Sequence, residues 1–370
     1  MKKWAVVLVA WFVSVPCLAG DFELELGAEE PAGVARRAAW ARAGVPLVKG
    51  RFKQDQAFAV FADGKAVQAQ VEPLVVDEDG FLRWVLVDVL ADFKAGQKRT
   101  FTLRAVDAAP KIAAPLKVVN RADGLSVDTG ELRFAIAKDK PFGLFSSVSV
   151  GGRPVVSGGE VSYVDATLPD AKKHKRYVAG PPETIELTHA GPVRVTARVT
   201  GRFVGDDQSK LRYIAWVTAW AGRSDVHVRY ALANSNPDQY VYRRIGDSTI
   251  RLDLAGKVSG TVLGADGPIH AGPDARMKQG LIVKWYRYGG VQFADGAARA
   301  WDGGKEVWAS KDHKDHPLGW AVAETAAGNV FACDRFFWEN PARQLAVADG
   351  ALVLTGVTER PDGPMRVWYK

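Results

Sequence analysis

The densest grouping of chemically capable residues is Lys311-Asp312-His313-Lys314-Asp315-His316. Two histidines three apart with interleaved aspartates offer metal ligands, or a base and its partner. In an extended segment residues three apart point to opposite faces, so a solvated loop is the competing reading. Lys284-Trp285-Tyr286-Arg287-Tyr288 alternates cationic and aromatic side chains. On a strand Lys284, Tyr286 and Tyr288 share one face, fit to stack a ring and hold a carboxylate. Packing within a sheet is the alternative there. Trp301-Asp302-Gly303-Gly304 presents an aromatic platform at a turn, or a hairpin with a packed tryptophan. Tyr240, Tyr242, Arg243 and Arg244 follow Asn234-Ser235-Asn236 and make a polar, aromatic and basic loop. No P-loop, dinucleotide fingerprint, HExxH or G-x-S-x-G pattern is present in the sequence. No spacing matches a sharp metal motif, so no metal or other cofactor is expected.

The elements that must position these residues are strands. Val193 to Val199, Asp225 to Leu232 and Lys98 to Arg104 alternate apolar and polar residues, the pattern of half-buried antiparallel strands. Phe81 to Val87 is more uniformly apolar and reads as a strand buried on both faces. Ala62-Asp63-Gly64, Glu78-Asp79-Gly80, Ala221-Gly222-Arg223 and Asp349-Gly350 punctuate the strands. Such turns between many short strands predict an all-β protein of barrel or sandwich architecture. Glu29 to Ala43 has helical propensity, but Pro31 and Gly33 interrupt its start and tertiary context is expected to make part of it a strand. Asp274 to Gln279 suits one short helical turn. Leu168 to Pro182 reads as an irregular basic insertion.

Length allows two domains with sizeable cores, since 370 residues are 47% hydrophobic. Lys2, Lys3, the apolar run Trp4 to Val15, and Cys17-Leu18-Ala19 read as a secretory signal over residues 1–19. The expected location is therefore secreted or periplasmic, with no membrane segment after cleavage. Cleavage leaves Cys333 as the mature chain's cysteine, and its neighbours Phe331 and Phe336 suggest that it is buried and inert. The proline-containing stretch 106–115 reads as a linker between a domain at 20–105 and one at 116–358, with a tail at 359–370. Net charge is +7, spread rather than blocked. This argues against nucleic acid as a partner and suits an acidic polymer.

Three motifs in the first half carry a resemblance: Gly44-Val45-Pro46-Leu47-Val48-Lys49-Gly50, Asp63-Gly64-Lys65-Ala66-Val67-Gln68-Ala69-Gln70-Val71 and Asp79-Gly80-Phe81-Leu82-Arg83-Trp84-Val85. In this order they resemble the N-terminal RIFT barrel of the PcRGLX/YetA-like exo-rhamnogalacturonan lyases, polysaccharide lyase family 26. Phe336-Phe337-Trp338-Glu339-Asn340-Pro341-Ala342-Arg343-Gln344-Leu345 is similar to the F-W-x-x-P segment near the end of that family's central β-sandwich, and Arg212 to Asn236 resembles its paired long strands. The resemblance implies a small RIFT-type barrel followed by a large antiparallel β-sandwich. Family members continue into an α/α toroid, whereas this sequence stops at Lys370, so a stand-alone carbohydrate-binding or structural version is expected beside the lyase. The implied partner is an acidic polysaccharide or oligosaccharide. The implied elimination needs a base and a cation beside the uronate carboxylate. Lys284, Tyr286, His313 and His316 are the candidates for catalysis. Tyr240, Tyr242, Arg243, Arg244, Tyr288, Trp301 and Asp302 are the candidates for substrate binding. Trp84 is expected to fill the barrel core.

Overall fold

The computed structural model describes residues 22–167, 170–207, 209, 211–234, 243–279, 281–285, 291–295, 298–311, 317–335, 337, 343–356 and 365–367. The signal segment expected at 1–19 lies outside them. The fold is all-β. The first region carries β1 (Glu23–Glu29), β2 (Arg36–Pro46), β3 (Ala57–Ala62), β4 (Lys65–Ala66), β5 (Ala69–Val76), β6 (Leu82–Phe93) and β7 (Lys98–Val106). They form two antiparallel sheets, ordered β1-β7-β3-β4 and β2-β6-β5. Both close on one core that includes Leu26, Val45, Val60, Val85, Phe101 and Leu103. The expected alternation of β7 is visible there, with Phe101 and Leu103 buried and their neighbours turned outward. Asp63 and Gly64 both take positive φ, 51° and 75°, and join β3 to β4 as a two-residue hairpin.

Two sequence expectations need correction in this region. The stretch around Phe81 to Val87 is not buried on both faces: Arg83 and Leu86 are half-buried, and double-sided burial begins only at Val87 to Leu90. Trp84 does not fill the core but lies 42% exposed on the outer face, its ring over Gly44. From Glu29 to Ala43 the structure has strand on either side of a turn through Pro31 and Gly33, and β2 gains its partner from β6.

The second region opens with β8 (Lys117–Arg121), β9 (Gly124–Asp128), β10 (Leu132–Ala137), β11 (Ser147–Val150), β12 (Arg153–Asp165), β13 (Lys175–Ala190), β14 (Arg194–Val204), β15 (Leu211–Trp220), β16 (Val226–Asn234) and β17 (Arg243–Leu254). The long β12 pairs with β11 near its start and with β13 near its end, so one sheet branches into two layers. Phe142 stacks on Tyr213 at 4.8 Å, and Phe203 meets Tyr163 edge-on between them. The basic insertion expected at Leu168 to Pro182 is mostly strand. Lys175 and Arg176 open β13 and pair with Asp207 and Glu160.

The remainder carries β18 (Val258–Gly264), β19 (Pro268–Ala271), β20 (Ala275–Lys278), β21 (Leu281–Trp285), β22 (Val291–Asp295), β23 (Arg299–Asp302), β24 (Lys305–Ala309), β25 (Trp320–Thr325), β26 (Val330–Cys333), β27 (Arg343–Ala348), β28 (Ala351–Gly356) and β29 (Met365–Val367). One continuous 16-stranded sheet runs β16-β15-β14-β13-β12-β17-β28-β27-β20-β23-β24, with β8, β9, β10, β11 and β29 attached off this path, and β19-β18-β25-β26 form a separate sheet. The expected helical turn at Asp274 to Gln279 is instead β20, held between β23 and β27. Cys333 is exposed, not buried: it ends a strand whose neighbour Phe331 is also on the surface.

Candidate functional site on the outer face of the sheet

Strand β14 sets the site through its period of two. Val195, Ala197, Val199 and Phe203 turn into the core, so Arg194, Thr196, Arg198, Thr200 and Arg202 turn outward. The register places Trp220, Thr218, Trp216, Ile214 and Arg212 of β15 beside them in that order. At the Arg194 end the first region closes over this face. Arg194 Nε donates to Asp88 Oδ2 at 2.8 Å and Nη2 to Glu72 Oε2 at 2.9 Å. Asp88 also accepts from Arg42 Nε at 2.7 Å. The Gln70 side-chain oxygen accepts from the Arg194 backbone N–H at 2.9 Å. Burial pulls the Arg194 guanidinium below the ordinary arginine range, and Asp88 and Glu72 oppose that pull. Trp40 of β2 stacks on Trp220 at 4.9 Å, and His227 stands edge-on to both rings. Burial there pushes His227 below its usual value, against the attraction of Asp225.

Beyond this seam the face is open. The guanidinium of Arg229 lies over the Trp216 ring, 3.9 Å from its centroid, and the two are direct cross-strand partners. Arg198 flanks Trp216 on the other side, in a loose 3.5 Å pair with Glu186. The next row is uncharged, with Thr184 and Thr200 hydroxyls 2.7 Å apart beside Ile214. Arg202 and Arg212 follow, both paired with Glu183. Between the seam and the Trp216 row a β-bulge before His189 re-aims its side chain. His189 Nδ1 then meets Glu72 Oε2 at 2.8 Å.

Cations, a flat aromatic ring and hydroxyls on one rigid sheet face suit a ligand with an anionic group and an apolar ring face. A guanidinium can pair with a carboxylate and an indole can stack on a ring face. Thr200 is buried and its hydroxyl is engaged by Thr184, which is exposed. Among the described residues no cluster of histidine, cysteine and carboxylate groups is arranged to hold a metal ion.

The residues singled out from sequence sit elsewhere. Trp301 and Asp302 end β23, and Gly303 turns the chain into β24, so the Gly-Gly turn is that of a hairpin, with Trp301 half-buried beside it. Asp302 Oδ1 accepts from the Gly272 N–H at 2.9 Å, on the opposite side of the strand from Trp301. Lys284 belongs to β21 opposite Gln292 of β22, and Arg243 and Arg244 begin β17 opposite β29. Tyr240, Tyr242, Tyr286, Tyr288, His313 and His316 lie outside the described residues. Sequence reasoning missed Arg198, Trp216 and Arg229. Their signal is the polar half of strands read only for their apolar half: Arg194-x-Thr196-x-Arg198-x-Thr200-x-Arg202 and Arg212-x-Ile214-x-Trp216-x-Thr218.

Comparison with known families matches residues 116–248 to the PcRGLX-like protein central β-sandwich domain. The match runs from just before β8 into β17, so it contains the whole of this face. No curated protein matches the chain.

Proposed function

Through its central sandwich the chain belongs to the PcRGLX-like proteins, and we propose that it is a secreted carbohydrate-active protein that holds an acidic polysaccharide across the outer face of β13–β16. The observation that carries this reading is the Arg229–Trp216 stack with Arg198 beside it, inside the family-matched segment. An exposed guanidinium on an indole is a ready-made seat for a sugar carboxylate and its ring. The test is affinity electrophoresis of purified protein through gels containing rhamnogalacturonan or a neutral glucan. Retardation is expected only in the acidic gel and is expected to be clearly weaker in Trp216→Ala and Arg229→Ala. Equal mobility of these variants and the parent would remove the face from the reading.

The pairing of His189 with Glu72 favours a second reading, elimination on a bound uronate. In the neutral ring, an Nδ1–H donated to Glu72 presents Nε2 as a proton acceptor. In such a step Nε2 takes the proton next to the carboxylate, the bond to the leaving sugar oxygen breaks as a ring double bond forms, and water protonates that oxygen. Ultraviolet absorbance of the new double bond reports it. A rise lost in His189→Ala supports the reading. Lys284→Ala and His316→Ala test the sequence-derived bases in the same assay, and no rise in the parent protein leaves binding alone.

A further inference from the structure

The arrangement at Trp216 recurs far along the same sheet. Arg276 of β20 and Trp301 of β23 are direct cross-strand partners, as Arg229 and Trp216 are. The Arg276 guanidinium lies 4.8 Å from the Trp301 ring centroid. Arg276 is exposed and Trp301 half-buried. The register between β23 and β24 shifts at Ala300/Trp301, the kind of bulge that re-aims a side chain.

Three features separate this pair from ordinary sheet packing. First, its base is rigid: Met277 and Ala300, the inward neighbours of Arg276 and Trp301, are fully buried, and Gly303 N–H ties the hairpin to the Asp274 carbonyl at 2.6 Å. Second, charge gathers around it. Arg276, Lys278, Arg299 and Trp301 alternate with the buried residues and so share the outward face, and Glu306 is committed to Arg299 at 2.7 Å. Third, among the described residues no carboxylate lies within ion-pair distance of Arg276, and the same holds for Arg229. The nearby Asp302 is engaged on the other side of β23 by Gly272. A surface guanidinium placed over an indole with no carboxylate beside it keeps hydrogen-bond donors for an external anion.

We propose that Arg276 and Trp301 form a second, separate platform for a carboxylate-bearing sugar, so that one molecule engages a polyanionic glycan at two places on one sheet. The two platforms lie towards opposite ends of the strand order, β16-β15 at one end and β20-β23-β24 at the other. The ligand class rests on the acidic-glycan reading above; the site does not share a residue with it. Two seats on one rigid sheet convert the second contact with a polymer into an intramolecular event, and they also let one protein bridge two chains.

The experiment uses the full chain and polygalacturonate as the probe, in long polymer and short-oligomer form, with retardation and light scattering read together. The parent protein is expected to be retarded by the polymer and to scatter most at an intermediate protein-to-polymer ratio, falling when either is in excess. Short oligomers should give no scattering peak. Trp301→Ala and Trp216→Ala should each remove the peak and weaken retardation by polymer about tenfold or more, and the double variant should run as in a glycan-free gel. Arg276→Gln, at an exposed position, gives the same readout if Trp301→Ala disturbs the hairpin. A Trp301→Ala and an Arg276→Gln protein that both bridge polymer like the parent would overturn the second platform while leaving the first standing. Loss of retardation in Trp216→Ala alone, with no effect of either β20–β23 change, overturns it equally. A parent protein that polygalacturonate does not retard overturns the acidic-glycan reading itself.

Discussion

Arg194 and Arg198 stand four residues apart on the same outward face of β14, yet one is 2% and the other 37% exposed. Sheet geometry treats them alike, and the difference comes from the first region. Its strands β5 and β6 bring Glu72 and Asp88 over Arg194 and stop short of Arg198. A cation that two carboxylates and a second sheet enclose becomes part of the joint between regions. The same cation left in the open beside an indole remains available to a ligand. The largest effect that sharpens this contrast is expected from Arg194→Met. It leaves Asp88, itself 0% exposed, with Arg42 as its remaining charge partner. Removing one member of a buried pair costs about 3–5 kcal/mol, read as a fall in the urea midpoint. A loss below about 1 kcal/mol, within the range of exposed pairs, would mean that the seam is no tighter than the open face.

The apolar half of the joint gives the next effect. Trp220 is 2% exposed and stacked on Trp40, with Leu90, Val193 and Ala221 around it. Trp220→Ala should destabilise by about 3 kcal/mol or more, with the loss of the paired-indole signal in near-ultraviolet circular dichroism. Trp216→Ala, four residues back on the same strand, should cost far less, because its ring is only half-buried.

A smaller, pH-dependent contribution belongs to the turn that opens β2. Burial raises the Glu30 carboxyl, but the N–H groups of Gly96, Val34 and Ala32 and the Arg36 guanidinium outweigh it and hold the pKa at about 2, against an ordinary 4.5. The folded value lies below the unfolded one, so Glu30 contributes stability that is present above pH 4.5 and is lost as pH falls towards 2. Glu30→Gln should flatten the decline of the thermal midpoint across that window. An unchanged slope would show that other carboxylates govern it.

Much of the fold was legible in the sequence, and for a physical reason. Alternation at Lys98 to Arg104 and Val193 to Val199 reports which face meets the core, and Asp63-Gly64 and Asp349-Gly350 can take the positive φ that tight turns demand. What escaped depends on partners distant in sequence. Trp84 reads as core by its type, yet it points outward, because β6 presents Val85 and Val87 inward. Asp274 to Gln279 has no local reason to be extended until β23 and β27 flank it. The Arg229–Trp216 pair is thirteen residues apart in sequence and adjacent only through the register of β15 and β16. The turn beside Trp301 was legible from its two glycines, but the cation next to Trp301, Arg276, is set by sheet order.

The smallest expected effect on stability is the one that tests the comparison most directly. Arg229→Gln removes a charge that the fold uses only weakly: its guanidinium rests on the Trp216 ring, and exposed cation–π pairs contribute about 0.5–1 kcal/mol. The urea midpoint should therefore scarcely move, while retardation in an acidic-glycan gel should fall. Salt separates the two arginines further. Screening acts on exposed charges over about 8–10 Å at physiological ionic strength and much less on buried ones. Raising salt should release glycan from the parent protein while leaving the stability difference between the parent and Arg194→Met in place. If both readouts weaken together with salt, Arg194 is not sealed from solvent. If neither does, the outer face holds its ligand by ring stacking rather than by charge, and Trp216 carries the contact.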